Sequence, residues 1–595
     1  MIFDRPHLPP GNGAPHLSRH AVFPGGFARI PVALLPLLAL LAGCMTPDRA
    51  VDETERAASE LATPVVGDIT GLTNAFTIAR PEDRLRARLM VSQDLPGTRS
   101  ATNGVTSLGD GPVTLTLQDA LRIGAQNDDT YQKLKEAIFH AALAIDLQQH
   151  AFESTFAGAL GGGVERTTGD GGNATTASGN AKPSMARTFS NGATAAASLG
   201  LDVVRLLTGD KSGAFGLAGD ASFSIPLLRG SGRAVNLEKL TQAQRDLLYA
   251  VHDFEAHRQS YAVSIADAYY AILEAVRHLE SLEDNQQRLS DNFERAQMLA
   301  DSGRMKRIEV DQARQDLLST GNSLVSARRN LDAKYDGFKA TLGLPADAEI
   351  AVDMDELVRL QVDMGLGAEG TNLVDAAAAM PPLPWNDDDA LAIALERRHD
   401  LFNTRGRLED AVRALPLARD RLRPELSLSG ALGYDRQRKI HAPAAAEGEK
   451  RSTRDWTYSA GLDLDLPWER TAERNEYRAA LVAIDAAMRS VETAEDAAKS
   501  LIRDDLRKLR SAWASFVIQS EAVRVAMRRV HSTDLFNQAG RAEIRDVLDA
   551  EDDLLTARNA LVSAVIDYRV AGLELRRDMA VLDITAEGLW NELEP

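Results

Sequence analysis

From residue 540 onward two seven-residue series run three positions apart: Val547, Leu554, Leu561 and Tyr568, and Ala550, Ala557, Ala564 and Ala571. These are the a and d positions of a coiled coil. Alanine in one seam lets helix backbones approach closely, so the pattern predicts a helix packed against long helical partners. The stretch has a twin 237 residues earlier, where the heptad reads Val310, Leu317, Leu324 and Leu331. At that offset Gly303, Arg304, Ala313, Asp316, Leu318, Asn322, Val325, Ser326 and Ala327 also coincide with their partners. The chain is an internal duplication.

Two proline-free stretches, residues 234–300 and 472–538, lead into these twins. Each would reach about 100 Å as a helix, too long for a globular core and suited to a coiled-coil wall. The helices turn at Gly303 and Gly540 and return. Earlier in each copy an amphipathic helix opens. In the first it starts at residues 115–123, with Thr116 as cap, and continues to about His150; its counterpart at residues 385–393 lies 270 positions on.

After each opening helix the period changes to two. Leu426, Leu428, Gly430, Leu432 and Tyr434 alternate with Glu425, Ser427, Ser429, Ala431 and Gly433. Trp456, Tyr458, Ala460, Leu462, Leu464, Leu466 and Trp468 alternate with hydroxyls and carboxylates. Trp456 and Tyr458 at one end and Trp468 at the other mark an apolar face with aromatic ends, as a membrane β-barrel needs. The first copy alternates over residues 215–227 and 193–203, and more weakly over 152–160. Three segments is the wrong parity for a chain that must go up and come back. Residues 161–191, rich in Gly, Thr, Asn and Ser, read as a solvated loop. Strands alone suit a soluble sandwich as well as a barrel; the amino-terminal segment and the long helices favour the barrel.

That segment reads as an export signal. Arg5, Arg19 and Arg29 precede an apolar run over residues 30–42 that Pro31 and Pro36 interrupt, too short for a good membrane span. It ends at Leu41-Ala-Gly-Cys44, which resembles a bacterial lipobox, so Cys44 is the expected lipidation site. It is also the one cysteine of the chain, which excludes an intramolecular disulfide. Met45 follows it, where aspartate would resemble an inner-membrane retention signal, so the outer membrane is the expected destination. The formal charge of −19 gives no support to nucleic-acid binding.

A lipobox signal, then helix, β-hairpin and long helical hairpin twice over, resembles the TolC-type outer membrane factors. The resemblance covers roughly residues 115–584. Its most specific pieces are Ile225-Pro-Leu-Leu-Arg-Gly230, Leu342-Gly-Leu-Pro345 and the Gly540, Asp546-Val-Leu-Asp549-Ala segment. It implies a mixed α/β membrane protein: a homotrimer giving about four strands per protomer to a twelve-stranded β-barrel, continued by a coiled-coil α-barrel. The implied function is an exit duct for an efflux pump or a type I secretion system, gated at its periplasmic tip. The implied partners are a periplasmic membrane-fusion adaptor, an inner-membrane pump of resistance-nodulation-division or ABC type, and outer membrane lipid, with no cofactor. The expected organisation is 1–43 signal peptide and 44–114 anchored segment and belt. Then come 115–345 first repeat (β-hairpin about 152–228, helical hairpin about 234–343) and 346–384 linker or equatorial segment. The second repeat is 385–584 (about 424–468 and 470–583), with a tail at 585–595.

By the same resemblance Asp546 and Asp549 line the constricted mouth. Their spacing puts both carboxylates on one helix face, and a three-fold axis would stack them as two acidic rings that favour cations. The plainer reading is two solvated acids in a first helical turn, where the helix dipole welcomes negative charge. The family's tip arginine falls at Ala542, and its locking tyrosine near Asn537. Gly303, Arg304, Gly540, Arg541 and Arg545 are the candidate adaptor contacts. No catalytic constellation stands out: His252 and His257, five apart, are poorly spaced to share a metal on a helix, and residues 209–212 match a phosphate loop only superficially. The rival functions are a periplasmic coiled-coil scaffold lipoprotein and a stalked β-sandwich adhesin.

Overall fold

The computed structural model describes residues 45–72, 76–78, 113–169, 172–207, 213–364, 385–440, 452–539 and 541–584. Cys44, Gly540, the expected signal and the tail lie outside them. The chain divides into two bodies at Thr54 and Glu55. Of the first, residues 45–54 are described; they include the opening turns of a helix, where Arg49 pairs with Glu53 at 2.8 Å.

Each copy begins with two helices. In the first, α2 (Leu117–Asn127) and α3 (Asp129–His150) replace the single helix expected there, and Thr116 caps the start by accepting from the Asp119 N–H at 3.1 Å. The break has a local cause. Asp128 is extended, and its carboxylate accepts from the Tyr131 N–H at 2.6 Å, so it caps α3 rather than continuing α2. The second copy breaks at the same place 270 residues on, as α8 (Asp387–Arg397) and α9 (His399–Arg421), with extended Arg398 at the break and no side-chain cap. Ahead of them all, α1 (Pro47–Thr70) occupies part of the expected anchored segment and belt. Ala58, Ala62, Val66 and Thr70 recur every four residues along one buried stripe of it.

A short turn, α4 (Arg233–Asn236), precedes the first of the two long hairpins. The hairpins are α5 (Glu238–Asp301) with α6 (Arg307–Thr341), and α10 (Thr471–Gln538) with α11 (Ile544–Asp578). Both return helices have 35 residues and start 237 positions apart, the offset of the heptads. The alanine seam of α11 is buried, and its Leu-rich seam is half-buried. Gln132, Tyr131 and Phe254 show how closely α3 lies on α5, the two rings meeting edge to face at 4.8 Å.

Both long helices stop in the same way. The Arg304 N–H donates to the Leu299 carbonyl at 2.9 Å, and the Arg541 N–H to the Phe536 carbonyl at 2.8 Å. Each bond spans five residues, the Schellman closure, with Gly303 at φ +75° supplying the left-handed residue in the first copy. The return helices also end alike, Leu344 donating to Lys339 and Val581 to Arg576. Here the left-handed residue is Gly343 (φ +67°) in one copy and Ala580 (φ +53°) in the other, 237 positions on. A Cβ on Gly343 would lie 2.9 Å from the Asn127 Cβ, so crowding as well as backbone demands glycine there.

The core lies where helix ends meet a two-stranded parallel sheet, β1 (Val113–Leu115) with β6 (Ile350–Val352). Tyr269 is wholly buried against it and accepts from the Asp353 N–H at 3.1 Å. β6 and α7 (Asp355–Asp363) lie in the segment expected to be a linker or equatorial segment; Ile350, Val352, Leu357 and Leu360 bury themselves in this core. Residues 365–384 lie outside the described part.

The strands form one antiparallel six-stranded sheet in the order β2-β3-β4-β5-β7-β8. They are β2 (Ser154–Gly169), β3 (Gly172–Thr188), β4 (Thr194–Leu206), β5 (Gly213–Pro226), β7 (Glu425–Ile440) and β8 (Ser452–Asp465). This corrects two expectations. The segment read as a solvated loop, residues 161–191, is mostly the β2–β3 hairpin, which resolves the odd parity of the first copy. The chain therefore contributes six strands to the sheet, where about four were expected. Trp468 lies past the end of β8 and is 99% exposed. The copies are tied at the sheet's exit, where the Gly230 N–H donates to the buried Asp420 carboxylate at 2.8 Å.

Alanine in a left-handed conformation carries a cost of about 1 kcal/mol that glycine avoids. Ala580→Gly is therefore expected to raise the thermal midpoint of the helical circular-dichroism signal in detergent, and Gly343→Ala to lower it further than Ala580→Gly raises it. Equal and small effects at both sites would contradict the assignment.

Candidate functional site

Register decides what each face of the sheet carries. Leu426, Leu428, Leu432 and Tyr434 lie opposite Leu464, Leu462, Tyr458 and Trp456. On the other side Phe223, Ala221 and Leu217 share that face with Gly430, Leu432 and Arg436. The row continues through Ala195, Ala197, Leu199 and Leu201 of β4 and Met185 of β3 to Phe156 and Leu160 of β2. Phe156, Leu160, Trp456, Tyr458 and Leu462 are all more than half exposed, an apolar surface that no other described residues cover. Tyr434 and Trp456 meet at 4.7 Å, and Trp456 stacks on Tyr458 at 6.4 Å, which gathers aromatic rings near the loop end of this face.

The opposite face is polar and acidic. Asp220 accepts from Ser198, Asp463 accepts from Ser429 at 3.2 Å, and Asp435 stands directly across from Asp455. Like charges facing each other across a ladder repel, and a water-filled space on that side relieves them. β3 belongs to the same scheme: Ala177, Gly179, Ala181 and Met185 fall on the apolar face, and Ser178, Asn180 and Ser184 on the polar one. Its alternation is present in the sequence, but in side chains too small to stand out.

At the hairpin tip Asp546 and Asp549 are both exposed. Asp546 has a structural task as well, because its carboxylate accepts from the Glu543 N–H at 3.0 Å in the first turn of α11. Asp549 lies 3.9 Å from Arg545 one turn away. Asn537, where the family's tyrosine falls, donates instead to the Ala542 carbonyl at 3.2 Å. Gly303, Arg304 and Arg541 are exposed beside these turns. The histidines part company: His252 lies 2.8 Å from His399, while His257 lies 3.0 Å from the Asp128 carboxylate.

One buried acid was not evident from the sequence. Asp505 of α10 is 2% exposed, with Lys508 at 3.6 Å. Burial, and next the neighbouring Asp578, hold its carboxyl well above the ordinary carboxylate range. The residues between, on α5, α10 and α11, line a groove with Asp267, Glu274 and Asp567, whose mutual repulsion adds to burial in raising Asp567.

The family model for outer membrane efflux proteins matches residues 174–344 and 390–579, more than half of the chain. The chain belongs to the outer membrane efflux protein family. The fold agrees with solved structures of low sequence identity. The outer-membrane channel OprN is 15% identical, with 78% of this chain and 89% of that one covered and a TM-score of 0.53. VceC from Vibrio cholerae is 16% identical over 78% and 95% of the two chains, with a TM-score of 0.52. The CmeC outer membrane channel of Campylobacter jejuni is 14% identical over 83% and 92%, also at 0.52. No curated protein matches the chain in sequence. Among the described residues no helix is long and apolar enough to cross a membrane.

An acid whose folded pKa is raised binds a proton more tightly folded than unfolded. Its ionisation therefore costs stability, which falls as pH rises from the ordinary carboxylate range through the raised one. Asp505→Asn is expected to flatten that part of the stability–pH curve and to stabilise the protein above it, measured by helical melting from pH 4 to 9. An unchanged slope would assign the acid no such role.

Proposed function

We propose that this protein is the outer membrane exit duct of a tripartite efflux system, anchored through Cys44 and assembled as a homotrimer. A periplasmic adaptor and an inner-membrane pump would feed it, and it would pass substrate passively. The observation that carries this reading is the six-stranded sheet with one apolar and one acidic face, joined at one end to four long helices. The apolar face meets lipid, and the acidic face lines water.

Closure follows from the edges. β2 and β8 are long edge strands, and in a membrane their free backbone groups need partners. They run antiparallel, so β8 of one copy can pair with β2 of the next and keep the order unbroken. Six strands from each of three copies make eighteen, a barrel about 36 Å across against about 24 Å for twelve. Apolar residues seven apart, Leu318 and Val325 on α6 and Ile518 and Val525 on α10, stand exposed as seams for neighbouring helices. An end-on image of the purified trimer of twelve-strand width, or absence of conductance in planar bilayers, would count against this assembly. Palmitate labelling that persists in Cys44→Ser would remove the anchor.

The gate reading rests on Asp546 and Asp549, exposed at the tip, which three copies would stack as two rings. Asp546 also closes the first turn of α11, so alanine there disturbs the helix as well as the charge, at about 1 kcal/mol. Asparagine keeps an acceptor oxygen and removes only the charge. Asp546→Asn with Asp549→Asn is expected to weaken block by trivalent cations and raise single-channel conductance, with helix content unchanged. Undiminished block would take both residues out of the mouth. Arg304, Arg541 and Arg545, beside Gly303 and Gly540, would meet the adaptor.

A further inference from the structure

We propose that the apolar face of the sheet ends, at its loop end, in a girdle of arginines that binds the phosphates of an outer-leaflet glycolipid. The proposal rests on the barrel reading above. Register puts Arg166 of β2, Arg205 of β4, Arg436 and Arg438 of β7 and Arg454 of β8 on the face that carries Phe156, Leu217, Tyr434 and Trp456. All five sit in the strand segments nearest the β2–β3, β4–β5 and β7–β8 connections, away from the helices. At the helix end this face carries Arg187, whose guanidinium lies over the Phe189 ring at 5.2 Å.

Among the described residues, acids on this face do not balance the girdle. At the same level Glu165, Asp202, Asp435 and Asp455 point to the other face, because each lies at odd spacing from the arginines along its strand or opposite a polar-face partner. Among the described residues none of the five arginines has an ion-pair partner. Two of them, Arg436 and Arg454, stand directly opposite each other across the β7–β8 ladder. Directly opposed side chains have Cβ atoms about 5 Å apart, and like charges so placed repel unless an anion sits between them.

The neighbouring rings say which anion. Tyr434 and Trp456, 4.7 Å apart, lie two residues along from Arg436 and Arg454 on the same face. Paired aromatic rings of this kind mark the depth of lipid headgroups, with acyl chains on one side and charged headgroups on the other. A phosphate held at that level can take paired N–H donors from two guanidinium planes while its acyl chains lie on the leucines of β7 and β8. A free phosphate would gain the first contact and not the second, so a lipid phosphate is the ligand.

The test uses the full-length trimer extracted in detergent, with a glycolipid carrying two phosphates on a glucosamine disaccharide as probe and the enzymatically dephosphorylated glycolipid as control. Wild type is expected to hold the phosphorylated lipid about tenfold more tightly than the control. Arg436→Gln with Arg438→Gln and Arg454→Gln should abolish that preference and leave single-channel conductance unchanged. The corresponding lysine variant, which keeps the charge, should retain part of it. Equal retention of both lipids by wild type would overturn the girdle, and this arm stands even if the glutamine variant fails to assemble. Displacement of the lipid by millimolar inorganic phosphate would overturn it too, by showing a free-anion site. Wild type that conducts but shows no phosphate preference defeats the girdle alone, whereas wild type that does not conduct defeats the barrel reading and the girdle with it.

Discussion

A sheet that faces lipid has to satisfy every backbone N–H and C=O from strands alone, because hydrocarbon offers no substitute. In the proposed barrel that demand, with strict alternation along six strands, organises the protein. Alternation sends Leu428, Leu432, Leu462 and Phe223 to one side and Asp220, Asp435 and Asp463 to the other, and the register keeps the rows aligned from β2 to β8. Pro183 in β3 shows how much the ladder tolerates. It has no N–H to give, and the β3–β4 pairing lapses at Lys182 and Pro183 and resumes in the same register at Ser184. A slip of one residue there would have exchanged the faces.

The helices solve a different problem with the same economy. Duplication supplies two hairpins whose return helices have identical length, and whose turns close through the same five-residue backbone bond at both ends. The copies are not interchangeable. Gly343 corresponds to Ala580, both left-handed, and the tip acids of α11 correspond to Glu309 and Gln312 in α6 at the repeat offset. Contacts between the copies then join the halves: Asp420 holds the Gly230 amide, and Arg413 of α9 reaches Glu238 of α5 at 3.0 Å. Arg245 of α5 adds an ion pair to Glu409 at 2.9 Å.

At the tip one residue serves two ends. Asp546 closes the first turn of α11 through the Glu543 amide and at the same time presents its charge to solvent beside Asp549. The first role is local and satisfied within one chain. The second needs copies of the chain around an axis, since an isolated acid in a first helical turn is stabilised by the helix dipole and constrains nothing else.

Sequence alone determined the duplication, the heptad seams, the lengths of the hairpins, the alternating strands of the second copy and the acid pair at the tip. All of these are periodicities or spacings within a short window, and local backbone geometry converts them directly into faces. Tertiary structure decided the rest. β3 became a strand because β2 and β4 lie on either side to accept its hydrogen bonds, although its own side chains are too small to show a strong pattern. Asp128 divided one expected helix into two by capping the second. Residues 350–363 left the linker because the core offered Ile350, Val352, Leu357 and Leu360 a place to bury. The arginines of β2, β4, β7 and β8 are far apart in the chain, and only the pairing of strands puts them in one row. That pairing is a long-range choice, set by which backbones meet rather than by any residue's own preference.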